Sequence, residues 1–353
     1  MKAWVLDSIG NINYKDIKKT CASANNVIVK VKAAGICGSD IQRVYENGAH
    51  SMPLVIGHEF SGAVDSVGEN VSNDLIGKRV GVFPLIPCKK CDSCLQKKYE
   101  MCTHYSYLGS RIDGGFAEYV EVPEWNLIEL PDKVSFEQAA MLEPLAVSIH
   151  AIRRLKINND MTVAVSGLGT IGQFIIMLLQ DMGIKNIYAI GKSKAQKKSV
   201  IDMGLTEQQY CDCIESKPVD FINIQTDGKG VDVYFDCVGK NETAALAFEI
   251  VTAGGQVCIM GNPYSDMHFD RDGWWKLLRK QITVTGTWNS SYYGVGDEES
   301  QNDDWNYVIN RISEGRIHPE KMITHKLPID ELEHGLNIMR DKLEPYTKVM
   351  VVM

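Results

Sequence analysis

The sequence predicts a two-domain α/β protein, in which a small β domain with a cysteine-rich lobe accompanies a doubly wound parallel sheet. Three observations support this class. The first third of the chain contains short β-branched runs separated by glycines, for example residues 27–32 and 62–68. After about residue 150, strand and helix patterns alternate, which is the order that produces parallel strands with crossover helices. Four cysteines fall within residues 88–102, and a length of 353 residues suits about two domains.

The cysteine-rich lobe is expected to hold a metal ion. Its cysteines follow the spacing C-x2-C-x2-C-x7-C, which lets a short loop wrap four thiolates around one tetrahedral zinc: Cys88, Cys91, Cys94 and Cys102. Buried thiols or disulfides are the alternative, but lysines and an aspartate stand between the cysteines and no apolar run would bury them. We therefore expect a structural zinc in a lobe over residues 86–104. Four protein ligands leave no open coordination position for chemistry.

Composition limits the partners. The net charge of −8 argues against a nucleic-acid-binding surface, which needs a basic excess, so we expect a small-molecule partner and no nucleic acid. The beginning of the sequence lacks the pattern of a secretory signal, and no apolar run approaches the roughly 20 residues of a membrane span. We expect a cytoplasmic protein without membrane contact, whose ten cysteines are reduced thiols or metal ligands.

The parallel sheet is predicted element by element. A capping-box pattern at residues 135–138 begins a stretch of helical apolar spacing that reaches Leu155. Strands are predicted at residues 163–165, 186–190, 231–235 and 256–260, a helix at 174–179 and a final strand at 349–353. The acidic residues at 297–299 and 303–304 are expected to form a solvated loop.

A glycine-rich turn follows the first of these strands and opens the apolar helix. It consists of Gly167, Leu168, Gly169, Thr170, Ile171 and Gly172, a G-x-G-x-x-G pattern that lets the backbone approach a pyrophosphate. A tight turn without a ligand is the alternative. The acidic residue that usually binds the ribose 2′-hydroxyl is absent, and the next strand ends instead in Gly191, Lys192, Ser193 and Lys194. This favours NADP over NAD, unless the lysines are simply the solvated first turn of a helix.

A second set of metal-binding residues is scattered through the first half of the chain. Cys37, His58 and a carboxylate, Glu59 or Glu143, supply the three or four ligands of a catalytic zinc site with room for substrate. Each residue alone has an ordinary alternative, because a single cysteine or histidine is usually packed in a core and Glu143 could merely cap its helix. The prediction of a catalytic zinc site depends on the occurrence of these residues in the same chain as a nucleotide-binding turn and a four-cysteine lobe.

In order and spacing, these motifs resemble the zinc-dependent medium-chain dehydrogenase/reductase family, which includes alcohol, sorbitol and threonine dehydrogenases. The resemblance covers nearly the whole chain and rests on residues 35–40, 57–62, 88–102, 114–119, 143–147 and 167–172. Residues 47–50, 109–115 and 278–284 are most similar to polyol dehydrogenases, in particular those that act on galactitol 1-phosphate or sorbitol.

The resemblance implies a GroES-like catalytic domain at residues 1–150 and 289–353, with a Rossmann domain at 151–288. The active site would lie in the cleft between them. Cys37, His58 and Glu143 would hold the catalytic zinc, with Glu59 as an alternating ligand or outer partner, although the sequence leaves open which glutamate binds directly. Ser39 would begin the proton relay. Two zinc ions per chain and a homodimer or homotetramer are also implied.

The resemblance further points to substrate residues. Arg43 lies six residues after Cys37. The resemblance implies a tyrosine at this position in sorbitol dehydrogenases and an arginine in galactitol-phosphate dehydrogenases, so the Arg43 guanidinium could hold a phosphate. A surface ion pair is the alternative for Arg43. His50 and Asn289 are further candidates. We predict oxidation of a polyol phosphate to a ketose phosphate; the alternatives are an unphosphorylated polyol or secondary alcohol and, more remotely, a silent zinc-binding structural or sensor protein.

Overall fold

The structure is a computed structural model that describes all 353 residues. The chain divides into two compact units, one formed by Met1–Ala146 together with Ser290–Met353 and the other by Val147–Asn289. We call them the catalytic unit and the nucleotide unit. None of the helices is both long enough and apolar enough to cross a lipid bilayer.

Eighteen strands are formed. They are β1 (Lys2–Ser8), β2 (Asn11–Asp16), β3 (Asn26–Ile36), β4 (Leu54–Val55), β5 (Glu59–Val67), β6 (Arg79–Val82), β7 (Leu85–Ile86), β8 (Ser106–Tyr107), β9 (Tyr119–Pro123), β10 (Leu127–Glu129), β11 (Thr162–Ser166), β12 (Asn186–Gly191), β13 (Tyr210–Asp212), β14 (Val231–Asp236), β15 (Val251–Ile259), β16 (Thr283–Gly286), β17 (Ile323–Pro328) and β18 (Lys348–Val352).

Eleven α-helices accompany them. They are α1 (Gly38–Gln42), α2 (Asp92–Leu95), α3 (Phe136–Ala140), α4 (Leu142–Arg153), α5 (Thr170–Asp181), α6 (Lys194–Asp202), α7 (Pro218–Gln225), α8 (Asn241–Ile250), α9 (Arg271–Arg279), α10 (Asp304–Ser313) and α11 (Leu332–Asp341). A π-helical turn, Arg43–Asn47, continues α1.

The catalytic unit is built around a seven-stranded sheet. Its strand order is β10-β6-β5-β3-β18-β17, with β9 also paired to β3. Strand β3 lies inside the sheet, and its apolar residues are buried along almost its whole length. Both main neighbours run antiparallel to it, and in this register Gly35 faces Glu59 of β5 and Met350 of β18. The carboxyl end of β3 and the beginnings of β5 and β18 therefore meet at one place.

The nucleotide unit contains a six-stranded sheet in the order β13-β12-β11-β14-β15-β16, with every pair parallel. Strand β11 pairs with both β12 and β14, so the strand order reverses there, as in a doubly wound dinucleotide-binding fold. Apolar side chains on both sides of the sheet form the core of this unit. The predicted fold class and the predicted strands of this region are confirmed.

The predicted helical stretch from residue 135 is interrupted. The capping box is present, since the Gln138 N–H donates to Ser135 Oγ (3.1 Å) and the Ser135 N–H donates to Gln138 Oε1 (2.9 Å). However, α3 ends before Met141 and α4 begins at Leu142. Pro144 explains the break, because proline lacks an N–H and clashes inside a continuous helix, whereas the first turn tolerates it. Glu143 thereby stands in the first turn of α4.

The prediction of a solvated acidic loop is wrong for Asp303 and Asp304. Both carboxylates are buried. Asp303 caps α10 by accepting from the Asn306 N–H (2.7 Å), and Asp304 accepts from the N–H (2.8 Å) and the hydroxyl (2.7 Å) of Ser291. These hydrogen bonds replace the lost hydration of the carboxylates, so the two residues are structural.

Candidate active site

The strand ends of the catalytic unit bring three potential metal ligands together. Cys37 follows the last residue of β3 and caps α1, while His58 and Glu59 stand at the beginning of β5. One ligand atom from each of Cys37, His58 and Glu59 lies within 4.8 Å of the others, and His58 and Glu59 are buried. A thiol, an imidazole and a carboxylate are donors that zinc accepts, so this set fits a zinc ion. We call it the three-residue cluster.

Asp40 contacts two members of the cluster, Cys37 and His58. Its fully buried carboxylate accepts from the Cys37 N–H (3.0 Å) and from Arg43 Nη1 (2.7 Å), and it lies 3.4 Å from His58 Nδ1. Burial alone would raise the pKa of Asp40, but His58 and, to a smaller extent, Arg43 hold that pKa below its ordinary value. The Asp40 carboxylate thus stands where outer carboxylates orient histidines that bind metals, while its 3.4 Å approach to Nδ1 leaves that nitrogen without a hydrogen bond.

Glu59 also has a charged partner. Its carboxylate forms an ion pair with the ammonium group of Lys348, and both side chains are 2% exposed. The Lys348 ammonium donates in addition to the carbonyl of Ile36 (3.2 Å). Space for the pair comes from Gly35, because a Cβ atom at that position would lie 2.3 Å from the Glu59 carboxylate. Any larger residue at position 35 would displace the ion pair.

Glu143 lies beside the cluster but outside the set of mutually close ligand atoms. Its carboxylate accepts a hydrogen bond from the Tyr107 hydroxyl (3.2 Å), and the Tyr107 ring lies 5.9 Å from the His58 ring. Burial raises the pKa of Glu143 to about 7, with Glu59 adding to the rise and His58 opposing it. Of the two glutamates considered from the sequence, the structure thus brings Glu59 into the cluster and pairs Glu143 with a tyrosine.

The remaining candidate residues differ in burial and in their distance along the chain from the cluster. Ser39 stands in the first turn of α1, two residues from Cys37, and is half-buried. His50 is exposed in the loop before β4 and is not a member of the cluster. Asn289 is buried and is the last residue of the nucleotide unit. The Arg43 guanidinium pairs with the Asp40 carboxylate. A contact between Arg43 and a substrate phosphate stays a prediction.

The four cysteines of the lobe do come together. Their sulfur atoms are 3.5 Å (Cys91 to Cys94), 3.8 Å (Cys91 to Cys102) and 4.0 Å (Cys88 to Cys94) apart. Four sulfurs bound to one zinc at about 2.3 Å stand ~3.8 Å from one another. A disulfide would require about 2.05 Å. The arrangement therefore fits a closed tetrahedral zinc site.

The glycine-rich turn has the geometry of a pyrophosphate cradle. Gly167 has φ +90°, a left-handed conformation that favours glycine, and a Cβ atom on Gly172 would lie 2.0 Å from the Gly167 carbonyl oxygen. Helix α5 can therefore pack closely on the turn only with glycine at 172. Gly169 caps α5 and has no atom within 4 Å of the position of its missing Cβ. Thr170 and Ile171 begin α5, so a phosphate can approach the open backbone at its N-terminus.

Two lysines at the end of β12 lack acidic partners. Gly191 is buried, and the exposed Lys192 and Lys194 follow it on either side of Ser193, whose hydroxyl caps α6 by accepting from the Gln196 N–H (3.1 Å). Further along α6, Lys197 pairs with Glu207 and Lys198 with Asp202. The positive charge at this strand end therefore comes from Lys192 and Lys194.

Sequence reasoning missed three residues of this region. Asp40 lies inside the quoted motif at residues 35–40, three residues after Cys37, and this spacing is that of a capping partner. Lys348 is the one charged residue of an otherwise apolar final strand, which signals a buried partner. Tyr107 offers no comparable signal, because nothing local predicts its contact with Glu143.

Comparison with known families gives two matches. Residues 23–132 match the alcohol dehydrogenase GroES-like domain, and residues 170–314 match the zinc-binding dehydrogenase family. Among curated proteins, galactitol 1-phosphate 5-dehydrogenase of Escherichia coli K12 is 32% identical over 328 residues, 92% of each chain. L-idonate 5-dehydrogenase of Vitis vinifera is 30% identical over 338 residues, 94% of this chain and 88% of that one.

Solved structures give the same result. Galactitol-1-phosphate dehydrogenase from Escherichia coli superimposes with a TM-score of 0.91 at 30% identity, covering 100% of both chains. A zinc-binding dehydrogenase from Sinorhizobium meliloti 1021, bound to NADP, gives a TM-score of 0.88 at 26% identity, covering 100% of this chain and 99% of that chain. A short chain alcohol dehydrogenase from Escherichia coli CFT073, complexed with NADH, gives the same TM-score, identity and coverage of both chains.

Proposed function

The chain belongs to the family of zinc-binding alcohol dehydrogenases, and on this premise we propose that it oxidises a polyol phosphate of the galactitol 1-phosphate type. The reaction would convert a secondary hydroxyl into a ketone, giving a ketose phosphate, and would be reversible. The observation that carries the proposal is the three-residue cluster on a chain similar over nearly its whole length to galactitol 1-phosphate 5-dehydrogenase. The enzyme class is that of zinc-dependent alcohol and polyol dehydrogenases.

Cys37, His58 and Glu59 would hold the catalytic zinc, and Glu143 is the alternative carboxylate ligand. When bound, the zinc supplies Lewis-acid polarisation of the substrate oxygen and the nicotinamide supplies an acceptor for the hydride. Asp40 would keep the His58 ring oriented through its 3.4 Å contact with Nδ1. Ser39 would take the hydroxyl proton and pass it outward, since a hydroxyl both accepts and donates. The four cysteines would hold a second, structural zinc.

We infer that NADP is preferred over NAD. Lys192 and Lys194 follow the strand that in NAD enzymes usually ends in a carboxylate, and neither is neutralised by an acidic partner. A 2′-phosphate would supply the missing counter-charge. The open backbone at Gly169 supports pyrophosphate binding for either cofactor.

We infer that the protein forms a homodimer or homotetramer through the nucleotide unit. Strand β16 is an edge of the six-stranded sheet, so its outer backbone groups have no strand partner. Large apolar side chains are exposed nearby in sequence, namely Trp274, Leu278, Val284 and Trp288. An exposed edge strand with large apolar side chains around it promotes association, and a second copy would cover both. Light scattering of the purified protein would report the number of subunits.

Oxidation of an unphosphorylated polyol is the second candidate function. The similarity to L-idonate 5-dehydrogenase favours this function. The same cluster would hold the catalytic zinc, and the same nucleotide unit would bind the cofactor. A zinc-binding protein without activity is a remote alternative that the complete cluster argues against.

The deciding experiment measures kcat/KM with NADP for galactitol 1-phosphate, galactitol and sorbitol, using zinc-replete protein. A preference of about 100-fold for the phosphate, equivalent to ~2.7 kcal/mol of transition-state stabilisation, is the expected result. Comparable values for all three would move the assignment to unphosphorylated polyols. Absence of turnover with each of them would contradict the substrate class.

A further inference from the structure

We propose that Arg111 recognises the phosphate group of the substrate. This inference rests on the proposed function and gives its polyol phosphate a specific anchor outside the three-residue cluster. Such an anchor must lie some distance from the metal ligands, because the phosphate and the reacting hydroxyl are separated by several bonds of the carbon chain. It must also be connected to the cluster by a surface along which the polyol can lie.

Aromatic rings connect Arg111 to the cluster. The Tyr107 ring lies 5.9 Å from the His58 ring, and the Tyr105 ring lies 6.2 Å from that of Tyr107 in an edge-to-face arrangement. The Arg111 guanidinium is placed over the Tyr105 ring, 4.5 Å from its centroid. The row of side chains from His58 through Tyr107 and Tyr105 to Arg111 thus begins at a potential metal ligand and ends at a positive charge.

The local backbone keeps Arg111 in this position. Residues 108–111 form a turn that returns to Tyr107, whose carbonyl accepts the Arg111 N–H at 2.9 Å. The same tyrosine that donates to Glu143 therefore fixes the place from which the arginine side chain projects. Stacking on Tyr105 further restricts the guanidinium, which reduces the entropy lost when it binds a ligand.

The charge of Arg111 is not neutralised within the protein. Arg111 is exposed and has neither an ion pair nor a side-chain hydrogen bond, so its donors are available to a ligand. Arg43 differs, because its side chain is 14% exposed and its guanidinium is held by the buried Asp40 carboxylate at 2.7 Å. A planar guanidinium binds two phosphate oxygens at once, which is the strongest form of such a contact. Of these two arginines, Arg111 is the one able to give this contact without breaking an internal ion pair.

The experiment compares Arg111→Ala with wild-type protein on galactitol 1-phosphate and on galactitol. We expect kcat/KM for the phosphate to fall by about 30-fold or more, mostly through KM, while kcat/KM for galactitol changes by less than about 2-fold. Arg111→Lys should recover part of the loss, because an ammonium keeps the charge but not the paired donors. Inorganic phosphate should inhibit galactitol oxidation by the wild type more strongly than by Arg111→Ala.

Arg340→Ala is the matched control. Arg340 also stacks on a tyrosine of the catalytic unit, with its guanidinium 4.3 Å from the Tyr45 centroid, but its charge is already paired with Asp341. Its removal should leave the preference for the phosphate unchanged. Zinc content and the melting temperature of each variant establish that folding is intact, which the exposure of Arg111 leads us to expect.

The two proposals fail in different ways. A wild-type enzyme that prefers the phosphate, combined with an Arg111→Ala variant that keeps this preference, overturns the role of Arg111 and leaves the proposed function standing. A wild-type enzyme without preference for the phosphate overturns both. Equal losses on the two substrates show a structural role for Arg111 and overturn its assignment as the phosphate anchor.

Discussion

Lys348 and Glu59 form a buried ion pair at the place where the three central strands of the catalytic unit meet. The glutamate is also a member of the three-residue cluster, so one carboxylate is shared between an ammonium group and the potential metal position. Taking both charges out of water is costly, and their mutual attraction offsets that cost only while both partners are present. The lysine and a metal ion would therefore compete for the same carboxylate.

We predict that Lys348→Met destabilises the zinc-free protein by about 3–5 kcal/mol, because it leaves the Glu59 carboxylate buried without a partner. Zinc bound at the cluster would neutralise that carboxylate and recover much of the loss. Thermal unfolding with and without zinc should thus show a larger stabilisation by zinc in the variant than in the wild type. The double variant Lys348→Met/Glu59→Gln should lose this difference; if it kept the difference, Glu59 would not be the group involved.

The two cysteine sites should respond differently to loss of a ligand. We predict two zinc ions per chain in the wild type and one in either Cys37→Ala or Cys94→Ala, as measured by elemental analysis. Cys94→Ala should also lower the melting temperature by roughly 5 °C or more, because its zinc ties together a loop with little apolar core. Cys37→Ala should abolish turnover with a much smaller change in melting temperature. The same melting temperature for both variants would contradict separate structural and catalytic roles.

Replacement of Arg43 should affect the metal centre and not the choice of substrate. Without the guanidinium, Asp40 loses a 2.7 Å ion pair and holds the His58 ring less firmly. We predict that Arg43→Ala weakens zinc binding at the cluster by about 10-fold and lowers kcat/KM equally for galactitol 1-phosphate and galactitol. Competition with a chelator measures the first effect and steady-state kinetics the second. A loss confined to the phosphorylated substrate would instead identify Arg43 as a phosphate contact.

Cofactor preference should depend on the two unpaired lysines. We predict that Lys192→Ala/Lys194→Ala raises KM for NADP by about 10-fold and leaves KM for NAD nearly unchanged, because only NADP carries the 2′-phosphate. Lys198→Ala is the control, since Lys198 is already paired with Asp202 on the same helix. Parallel changes with both cofactors would mean that the lysines act on the shared part of the dinucleotide.

Local patterns were sufficient to predict the fold class and much of the sheet. The runs around Val163, Ile187 and Val233 are mostly apolar, as expected for strands buried on both faces of a parallel sheet, and the glycine-rich turn marks where the first strand is followed by a helix. The spacing of the four cysteines predicted their convergence because a short loop has few ways to place them.

Contacts between distant segments could not be predicted in the same way. Lys348 reaches Glu59 only because β18 returns to pair with β3, and a register shift of one residue would turn the lysine to the other face of the sheet. The exposure of Asp303 and Asp304 was predicted wrongly for a related reason. Their burial depends on hydrogen-bond donors at Ser291 and Asn306, which a run of acidic residues in the sequence does not reveal.

The division of the catalytic unit into two separate chain segments has a consequence for the order of folding. The nucleotide unit is continuous, has its own apolar core, and lies between Ala146 and Ser290 in the chain. Because the nucleotide unit is continuous, it can fold before the end of the chain is available. The catalytic sheet is complete only when β17 and β18 join it, and β18 pairs with a strand more than 300 positions earlier. Lys348 is therefore supplied late, and before β18 docks, the Glu59 carboxylate is available to metal ions without its competing ammonium group.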